Sequence, residues 1–313
     1  MTLFEAGTYT QSMSARRLLA GPIVLGWAAL ILSADPLAQA IERSLYVSVV
    51  NEAGEPVPDL GASDFVVRED NVAREVLRVG PAEEPMQIAV LVDTSQTARD
   101  NISHMRTALP PFVTALTNPN EAGAKNEVAL IAFGERPTIF TNYTANVAEL
   151  QKGITRIWAA QDAGAYLLDA LLEVVRGTKV REATRPVIVA IVVEGPELSY
   201  RQYDQVLGPL RESSAPFYAL VIGSPAADIS DQGRSRSIVL DRGPSETGGR
   251  RDQLLTGMAL ADRLKQLAAQ LTHQYRVTYA RPQSLIPPER ITVSTPRSGL
   301  TARGTPAKER DRP

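Results

Sequence analysis

Four continuous apolar runs dominate the middle of the chain, at residues 88–92, 128–133, 187–193 and 217–222. Runs of this length are typical of strands that are covered on both faces of a parallel sheet. Between them, apolar residues recur at helical spacing, as they do from Ile102 to Leu116. Strands that alternate with helices predict crossover connections. We therefore predict an α/β fold with a doubly wound, mostly parallel sheet.

Proline and glycine residues in the helical patterns predict where some helices end. Two prolines at 110–111 predict that the first helix kinks or that a new one begins there. A compact apolar helix is predicted from Tyr166 to Arg176, with Gly177 as its C-cap. A late helix is predicted from Leu260 to Leu271, where leucines mark one face.

The segments around these runs have other patterns. Short period-two alternation predicts a small N-terminal β module at residues 41–85. Residues 138–141 predict an antiparallel strand at the sheet edge. Residues 223–253 are rich in Gly, Ser, Asp and Arg and predict a long mobile or binding loop. Residues 281–313 predict a C-terminal extension with one β stretch at 290–294 and ten disordered residues at its end.

The first 40 residues have the pattern of a secretory signal peptide. Arg16 and Arg17 precede an apolar run of about 15 residues, and Ala38-Gln39-Ala40 supplies a small-x-small cleavage sequence. The run is shorter than the roughly 20 residues that span a bilayer core. We predict an exported protein, periplasmic or secreted, with no membrane span after cleavage. An uncleaved N-terminal anchor is the alternative. An α/β domain of residues 86–280 would then follow the β module.

Composition removes several classes of function. The chain of 313 residues has no cysteine, and this excludes disulfide scaffolds, thiolate metal sites and Cys nucleophiles. It has only 2 histidines, so a His-rich zinc site is not expected. The formal net charge is -2, with 33 Lys+Arg against 35 Asp+Glu. Binding to a nucleic-acid backbone needs a concentrated basic face, so nucleic acid is not expected as a partner.

The candidate chemistry follows the first apolar run. Asp93, Ser95 and Thr97 form the spacing D-x-S-x-T at the carboxyl end of a predicted parallel strand. Open α/β sheets bind their ligands at this edge. Carboxylate and hydroxyl oxygens are hard ligands that suit a cation such as Mg²⁺. An alternative role for Asp93 and Ser95 is to cap the helix that follows.

Here the sequence resembles the von Willebrand factor type A (VWA) domain, whose metal-ion-dependent adhesion site opens with D-x-S-x-S. The order of a β module, this strand, and closing motifs at 246–250, 274–279 and 291–303 is similar to the VWFA-related family described from acidobacteria. The resemblance covers residues 45–303. It implies a Rossmann-like VWA fold and a non-catalytic module that binds a protein or peptide. An acidic residue of the partner completes the metal's coordination in an intact site of this family.

The implied metal site departs from the family pattern at two positions. Ala165, in Gly-Ala-Tyr-Leu-Leu-Asp-Ala, stands where the family has a Thr ligand, and Glu194, in Val-Glu-Gly, stands where it has Asp. The remaining implied ligands are Asp93, Ser95 and Thr97. Together with Glu194 they predict a degenerate site with weakened Mg²⁺ binding, because Mg²⁺ demands near-ideal octahedral geometry. Metal-independent recognition by the same loops is an equal alternative.

Other functions fit the sequence less well. A structural or assembly component of an envelope complex, with a vestigial metal site, is the main alternative to a binding module. Asp93-Thr94-Ser95 also resembles the turn of aspartic proteases, but that mechanism needs a second copy or a symmetric dimer. No G-x-S-x-G motif is present, and the turn after Asp93 lacks the glycines of a dinucleotide site. We therefore predict that the chain is not an enzyme.

Overall fold

Strands and helices alternate through most of the middle of the chain, between residues 87 and 272, and further strands lie on either side. The strands are β1 (Ala40–Val50), β2 (Val66–Glu69), β3 (Val72–Arg74), β4 (Val76–Pro81), β5 (Gln87–Val92), β6 (Glu127–Ala132), β7 (Thr138–Thr144), β8 (Pro186–Val193), β9 (Phe217–Ile222), β10 (Arg250–Leu254), β11 (Tyr275–Pro282), β12 (Ile291–Ser294) and β13 (Thr301–Pro306). The helices are α1 (Ile102–Thr117), α2 (Val147–Ile154), α3 (Leu167–Val180), α4 (Tyr203–Glu212), α5 (Asp231–Thr247) and α6 (Leu260–Thr272).

This computed structural model describes residues 40–117, 125–224, 230–283 and 285–308. The predicted signal peptide therefore lies outside the described residues except for Ala40, which begins β1, and so do the last five residues of the predicted disordered tail. Within the described part of the chain, no helix combines the length and the apolar character needed to cross a membrane.

The central sheet has six strands in the order β10-β9-β8-β5-β6-β7. Every neighbouring pair is parallel except β6 and β7, which are antiparallel. The parallel sheet and its antiparallel edge strand are thus confirmed. Alternate residues of β5 point to opposite faces: Val90 packs in the core that includes α1, α2 and α6, and Leu91 packs in the core that includes α3, α4 and α5. Burial on both faces explains the continuous apolar runs.

A small antiparallel sheet is also present at the N-terminal end, with the order β13-β1-β11-β4. Two of its strands, β11 and β13, lie after residue 270. A second sheet has the order β12-β2-β3, and its strand β12 also comes from the end of the chain and pairs with β2. Side chains such as Val47, Phe65 and Tyr279 form the core shared by these strands. Strands from residues 41–85 therefore bury their apolar faces only together with strands from the end of the chain.

The predicted loop at 223–253 is wrong. Most of it forms α5 and β10, and β10 pairs with β9 as an edge strand of the central sheet. The buried positions of α5 are mostly small or polar, as Gly233, Ser235, Arg236 and Gly243 illustrate. A helix that buries such residues has no apolar stripe, so hydrophobic periodicity does not reveal it.

Two boundaries were also predicted wrongly, and of the two outcomes predicted for the prolines at 110–111, a kink or a new helix, the new helix is not found. Helix α1 runs through the prolines at 110–111 without a new start, because Leu109, Phe112 and Val113 are buried in the core. Gly177 is not a C-cap, since α3 continues to Val180. The predicted disordered tail begins too early, because residues 304–306 belong to β13, which pairs with β1. In α1, tertiary packing outweighs the local signal of proline.

Candidate functional site

The predicted site residues lie together at the carboxyl edge of the central sheet. Parallel strands that run in one direction end at one edge, and Asp93 follows β5 while Glu194 follows β8, its neighbour. The carboxylate of Asp93 accepts a hydrogen bond from the backbone N–H of Val193, with 2.9 Å between Oδ2 and N. The structure therefore joins the D-x-S-x-T loop to the loop after β8 directly.

Asp93 is fully buried, and both of its carboxylate oxygens are engaged. Oδ1 accepts a hydrogen bond from the backbone N–H of Ser95 at 2.9 Å, in addition to the bond from Val193 to Oδ2. Burial raises the pKa of the Asp93 carboxyl, because a charge is costly away from water, and these hydrogen bonds partly oppose the rise. Asp93 is thus a structural acceptor that fixes two loops.

The two hydroxyls of the motif are directed at each other. Ser95 Oγ and Thr97 Oγ1 are 2.9 Å apart, within hydrogen-bond distance. Ser95 is buried whereas Thr97 is exposed. Ser95 precedes a 3₁₀ segment, Gln96–Asn101, but its side chain makes no capping hydrogen bond there. The capping role considered for Ser95 is therefore not found, and its hydroxyl instead pairs with Thr97.

The backbone of the D-x-S-x-T loop is held by the loops on either side. Thr94 Oγ1 accepts a hydrogen bond from the N–H of Gly134 at 3.0 Å, and the Thr94 carbonyl accepts one from Ala160 at 2.8 Å. The N–H of Gln96 donates to the carbonyl of Ala163 at 2.8 Å. These bonds leave the loop little freedom to rearrange when a ligand approaches.

Gly134 lies so close to this loop that a side chain has no room. A Cβ at position 134 would lie 2.4 Å from both the carbonyl carbon and the carbonyl oxygen of Thr94. We expect Gly134→Ala to reduce the free energy of unfolding by about 2 kcal/mol, measured by urea denaturation, because backbone must move. Gly177→Ala is the matched control, since a Cβ there meets nothing within 4 Å and Ala favours a helix. Equal stability of the two variants would contradict this packing account.

Glu194 is bound to an arginine that the sequence reading did not single out. The guanidinium of Arg236, from α5, donates from Nη1 to Glu194 Oε2 at 3.3 Å. Nη1 also donates to the carbonyl of Gly195 at 2.7 Å, and Nη2 donates to the carbonyl of Val193 at 2.9 Å. Arg236 is 4% exposed. A buried cation therefore lies at the point where the loop after β8 leaves the sheet.

A second buried acid, Glu197, follows three residues later. Its Oε1 accepts hydrogen bonds from the N–H of Leu168 at 3.4 Å and of Ser199 at 3.3 Å, while Oε2 is buried with no partner among the described residues. Burial raises the pKa of Glu197 to about 7, although Ser199, Leu168 and the charge of Arg236 lower it in part. Glu197 therefore titrates near neutral pH.

The residues present do not fit the implied Mg²⁺ site. Ala165 is buried and offers no side-chain oxygen, and the carboxylate of Glu194 is already paired with the Arg236 guanidinium. A divalent cation beside that guanidinium would meet a like charge. Among the residues that the structure describes, no group of three or more Asp, Glu, His or Cys side chains could hold a metal ion.

Large apolar side chains are exposed on three of the loops at the carboxyl edge of the sheet. Trp158 is 65% exposed on the loop that ends in the bond from Ala160 to Thr94, and the Arg106 guanidinium lies 3.8 Å from its ring centroid. Tyr200 is 88% exposed on the loop after β8, and Met258 is 76% exposed on the loop after β10. These loops all lie at the carboxyl edge, so the edge presents large apolar groups beside a rigid polar centre.

Sequence reasoning found the acids and hydroxyls of this edge but missed Arg236, Glu197 and Gly134. Arg236 lay within the segment predicted as a loop, and no local pattern shows which arginine of that segment is buried. Glu197 stands three residues from Glu194 in a stretch with no motif. Gly134 directly follows a predicted strand, and a glycine there is a signal of close backbone approach that could have been used.

No family model and no curated protein matches the chain. Solved structures with a similar fold have low identity. The von Willebrand factor type A protein from Catenulispora acidiphila is 11% identical, with 86% of this chain and 74% of that chain covered and a TM-score of 0.46. The vWF domain of the type V pili tip protein Mfa5 from Porphyromonas gingivalis is 9% identical, with 61% and 96% covered and a TM-score of 0.45.

Proximal thread matrix protein 1 from the mussel byssus is 12% identical, with 66% of this chain covered and a TM-score of 0.44. The chain spans 50% of that protein's length. All three TM-scores are below 0.5. At these scores the likenesses carry no conclusion about this chain, and its function must be inferred from its own residues.

Proposed function

We propose that this chain is an exported, non-catalytic VWA-type module that binds a protein or peptide through the carboxyl edge of its central sheet. The observation that carries the proposal is the exposure of three large apolar side chains, Trp158, Tyr200 and Met258, on loops at this edge. Exposed apolar patches rimmed by polar residues mark interaction surfaces. Aromatic side chains and Met are enriched in protein interfaces. Export is proposed from the pattern of the first 40 residues.

The rigidity of the underlying loops supports the same proposal. Asp93 joins the loops after β5 and β8, and Thr94 joins the loop after β5 to Gly134 and Ala160. A surface that is ordered before it meets its partner loses less conformational entropy on binding. The edge thus combines exposed apolar anchors with loops that are already ordered, and both features favour a stable protein interface.

The proposal includes no catalytic step. The buried carboxyl of Asp93 accepts hydrogen bonds from two backbone N–H groups and from the Ser95 side chain, and the Ser95 hydroxyl also lies 2.9 Å from Thr97 Oγ1. Activation of a serine nucleophile needs a base that is free to take its proton, and both oxygens of Asp93 are already engaged by backbone donors. The arrangement is therefore suited to holding a surface in place, and we propose that recognition by this edge does not pass through a bound metal.

Alanine substitutions at the edge test the proposal. We expect Trp158→Ala and Tyr200→Ala, in the chain from residue 40 onward, each to weaken capture of a partner from an envelope extract by about 10-fold, as loss of an aromatic anchor does. Retention on an immobilised column and cross-linking followed by mass spectrometry measure the effect. The matched control is Val180→Ala, because Val180 is 84% exposed at the opposite end of α3 and should have no role.

The same experiment distinguishes a binding module from a structural component that docks through its β module. Val72 is 55% exposed on β3, an edge strand of the β module, far along the chain from the loops of the carboxyl edge. If Val72→Ala abolishes capture and both edge variants retain it, the β module docks the protein and the binding role of the carboxyl edge is wrong.

A further inference from the structure

The binding proposal gives no role to the guanidinium of Arg236, a buried positive charge at the carboxyl edge of the sheet. Its side chain is 5% exposed, and its donors reach the loop after β8 at three points: the carbonyls of Val193 and Gly195 and the carboxylate of Glu194. Burial of an arginine is costly unless its charge and its donors are satisfied. Nη1 and Nη2 of Arg236 are satisfied by this loop, whereas Nε is buried without a hydrogen-bond partner among the described residues. A buried arginine with two of its nitrogens bonded to one short loop indicates a specific role.

These bonds reach the D-x-S-x-T loop through two routes. Val193 donates its N–H to Asp93 and accepts from Arg236 with its carbonyl, so a single residue connects the acid to the cation. Gly195, the second carbonyl acceptor, lies against Thr97, because a Cβ at position 195 would be 2.6 Å from Thr97 Oγ1. Arg236 thus holds the loop after β8 against both ends of the motif.

The charge of Arg236 also acts on the acids around it. The positive charge lowers the pKa of Asp93 and of Glu197 relative to burial alone. Glu194 forms an ion pair with Arg236 at 3.3 Å and faces Arg251, from β10, at 3.8 Å. Three acidic side chains therefore face a cation that belongs to the protein.

We propose that the Arg236 guanidinium is a built-in cation that assembles the carboxyl edge of the sheet in place of a divalent metal ion. Because its charge is permanent, the loops are held in one arrangement whether or not metal is available. The same charge opposes entry of Mg²⁺ or Ca²⁺ beside Glu194. The identity of this edge as a binding face rests on the function proposed above, but the role of Arg236 can be tested without any partner.

The first test is the response of the wild-type chain to metals. We expect no saturable heat on titration with Mg²⁺, Mn²⁺ or Ca²⁺ at millimolar concentration in a calorimeter. We also expect the same melting temperature in EDTA and in excess Mg²⁺, because a ligand that binds only the folded state would raise it. Saturable binding of any of the three ions, with a higher melting temperature, would overturn the proposal.

The second test separates the charge of Arg236 from the packing of its side chain. Arg236→Met keeps the length of the stem but removes the charge and the donors, and we expect its melting temperature to fall by about 8 °C. Arg236→Lys keeps the charge without the planar fork, so we expect it to recover about half of that loss. Arg234→Gln, at an exposed position on the same helix, should melt as the wild type does.

Each result decides for or against the built-in cation. A Met variant as stable as the wild type would show that Arg236 only fills space, and a Lys variant no better than Met would show that the charge has no role. Either result overturns the proposal. Because calorimetry and melting need no partner, these outcomes stay distinct from a failure of Trp158→Ala to weaken capture, which would contradict only the function of the edge.

Discussion

The free energy of unfolding is expected to fall by about 3 kcal/mol as the pH rises from about 5 to about 8, through the titration of Glu197. Its folded-state pKa is about 7, above the ordinary value of 4.5. The folded state therefore binds this proton more tightly than the unfolded chain does. The added stability is complete below the unfolded pKa, declines as the pH rises from 4.5 to about 7, and is lost above it.

The cause of this raised pKa is the position of Glu197 beneath the first turn of α3. The carboxyl is buried and Oε2 has no hydrogen-bond partner among the described residues, while the Ser199 side chain is the main compensation, followed by the N–H of Leu168. The pKa of Asp93 is raised by burial as well, so its titration changes stability in the same direction. At neutral pH the charged form of Glu197 therefore destabilises the folded state, because its charge is buried.

The variant that tests this prediction is Glu197→Gln, which is neutral at every pH and keeps an acceptor for the Leu168 and Ser199 N–H groups. We expect its free energy of unfolding, from urea denaturation at several pH values, to lose about 3 kcal/mol of the wild-type pH dependence. Glu173→Gln, at an exposed position on α3, should keep the wild-type profile. If the two variants have the same profile as the wild type, Glu197 does not titrate in this range.

Removal of the Asp93 carboxylate is expected to destabilise the protein by about 3 kcal/mol. In Asp93→Ala the backbone N–H groups of Ser95 and Val193 lose their acceptor inside the protein. Each buried donor left without a partner costs about 1–3 kcal/mol. Release of a carboxyl that is itself costly to bury offsets part of this loss. The loops after β5 and β8 should also become more mobile, because the Asp93 side chain makes one of the contacts that join them.

Urea denaturation measures the loss of stability, and amide hydrogen exchange at Ser95 and Val193 measures the loss of the two hydrogen bonds. Asp100→Ala is the matched control, since Asp100 is exposed in the 3₁₀ segment that follows. We expect it to change stability by less than about 0.5 kcal/mol. Unchanged exchange at Val193 in Asp93→Ala would show that another acceptor holds this loop.

The central sheet could be predicted from the sequence because its strands are buried on both faces. Burial on both faces favours an apolar residue at every position. The apolar run at 217–222 therefore predicts the position of β9. The elements with one exposed face or with small buried residues were harder to predict. Helix α5 is the clearest example, because its packing depends on Gly, Ser and Arg rather than on apolar side chains.

The candidate site divides in the same way. Asp93, Ser95 and Thr97 could be found because they are close in sequence and follow a recognisable strand. Glu194 could be placed at the same edge, because the carboxyl ends of parallel strands meet there. The partner of Glu194 could not be predicted, because Arg236 is 42 residues away and contacts Glu194 only after α5 packs on the sheet. Whether a carboxylate faces a metal, a cation or water is decided by such distant neighbours.

The sequence by itself determined the α/β class, the parallel sheet with its antiparallel edge, and the D-x-S-x-T loop at the end of β5. These features follow from local periodicity and from residues adjacent in the chain. Only the tertiary structure decided that strands from both ends of the chain share one core, and that Arg236 pairs with Glu194. Contacts between distant segments depend on how whole elements pack, and no short pattern in the chain records them.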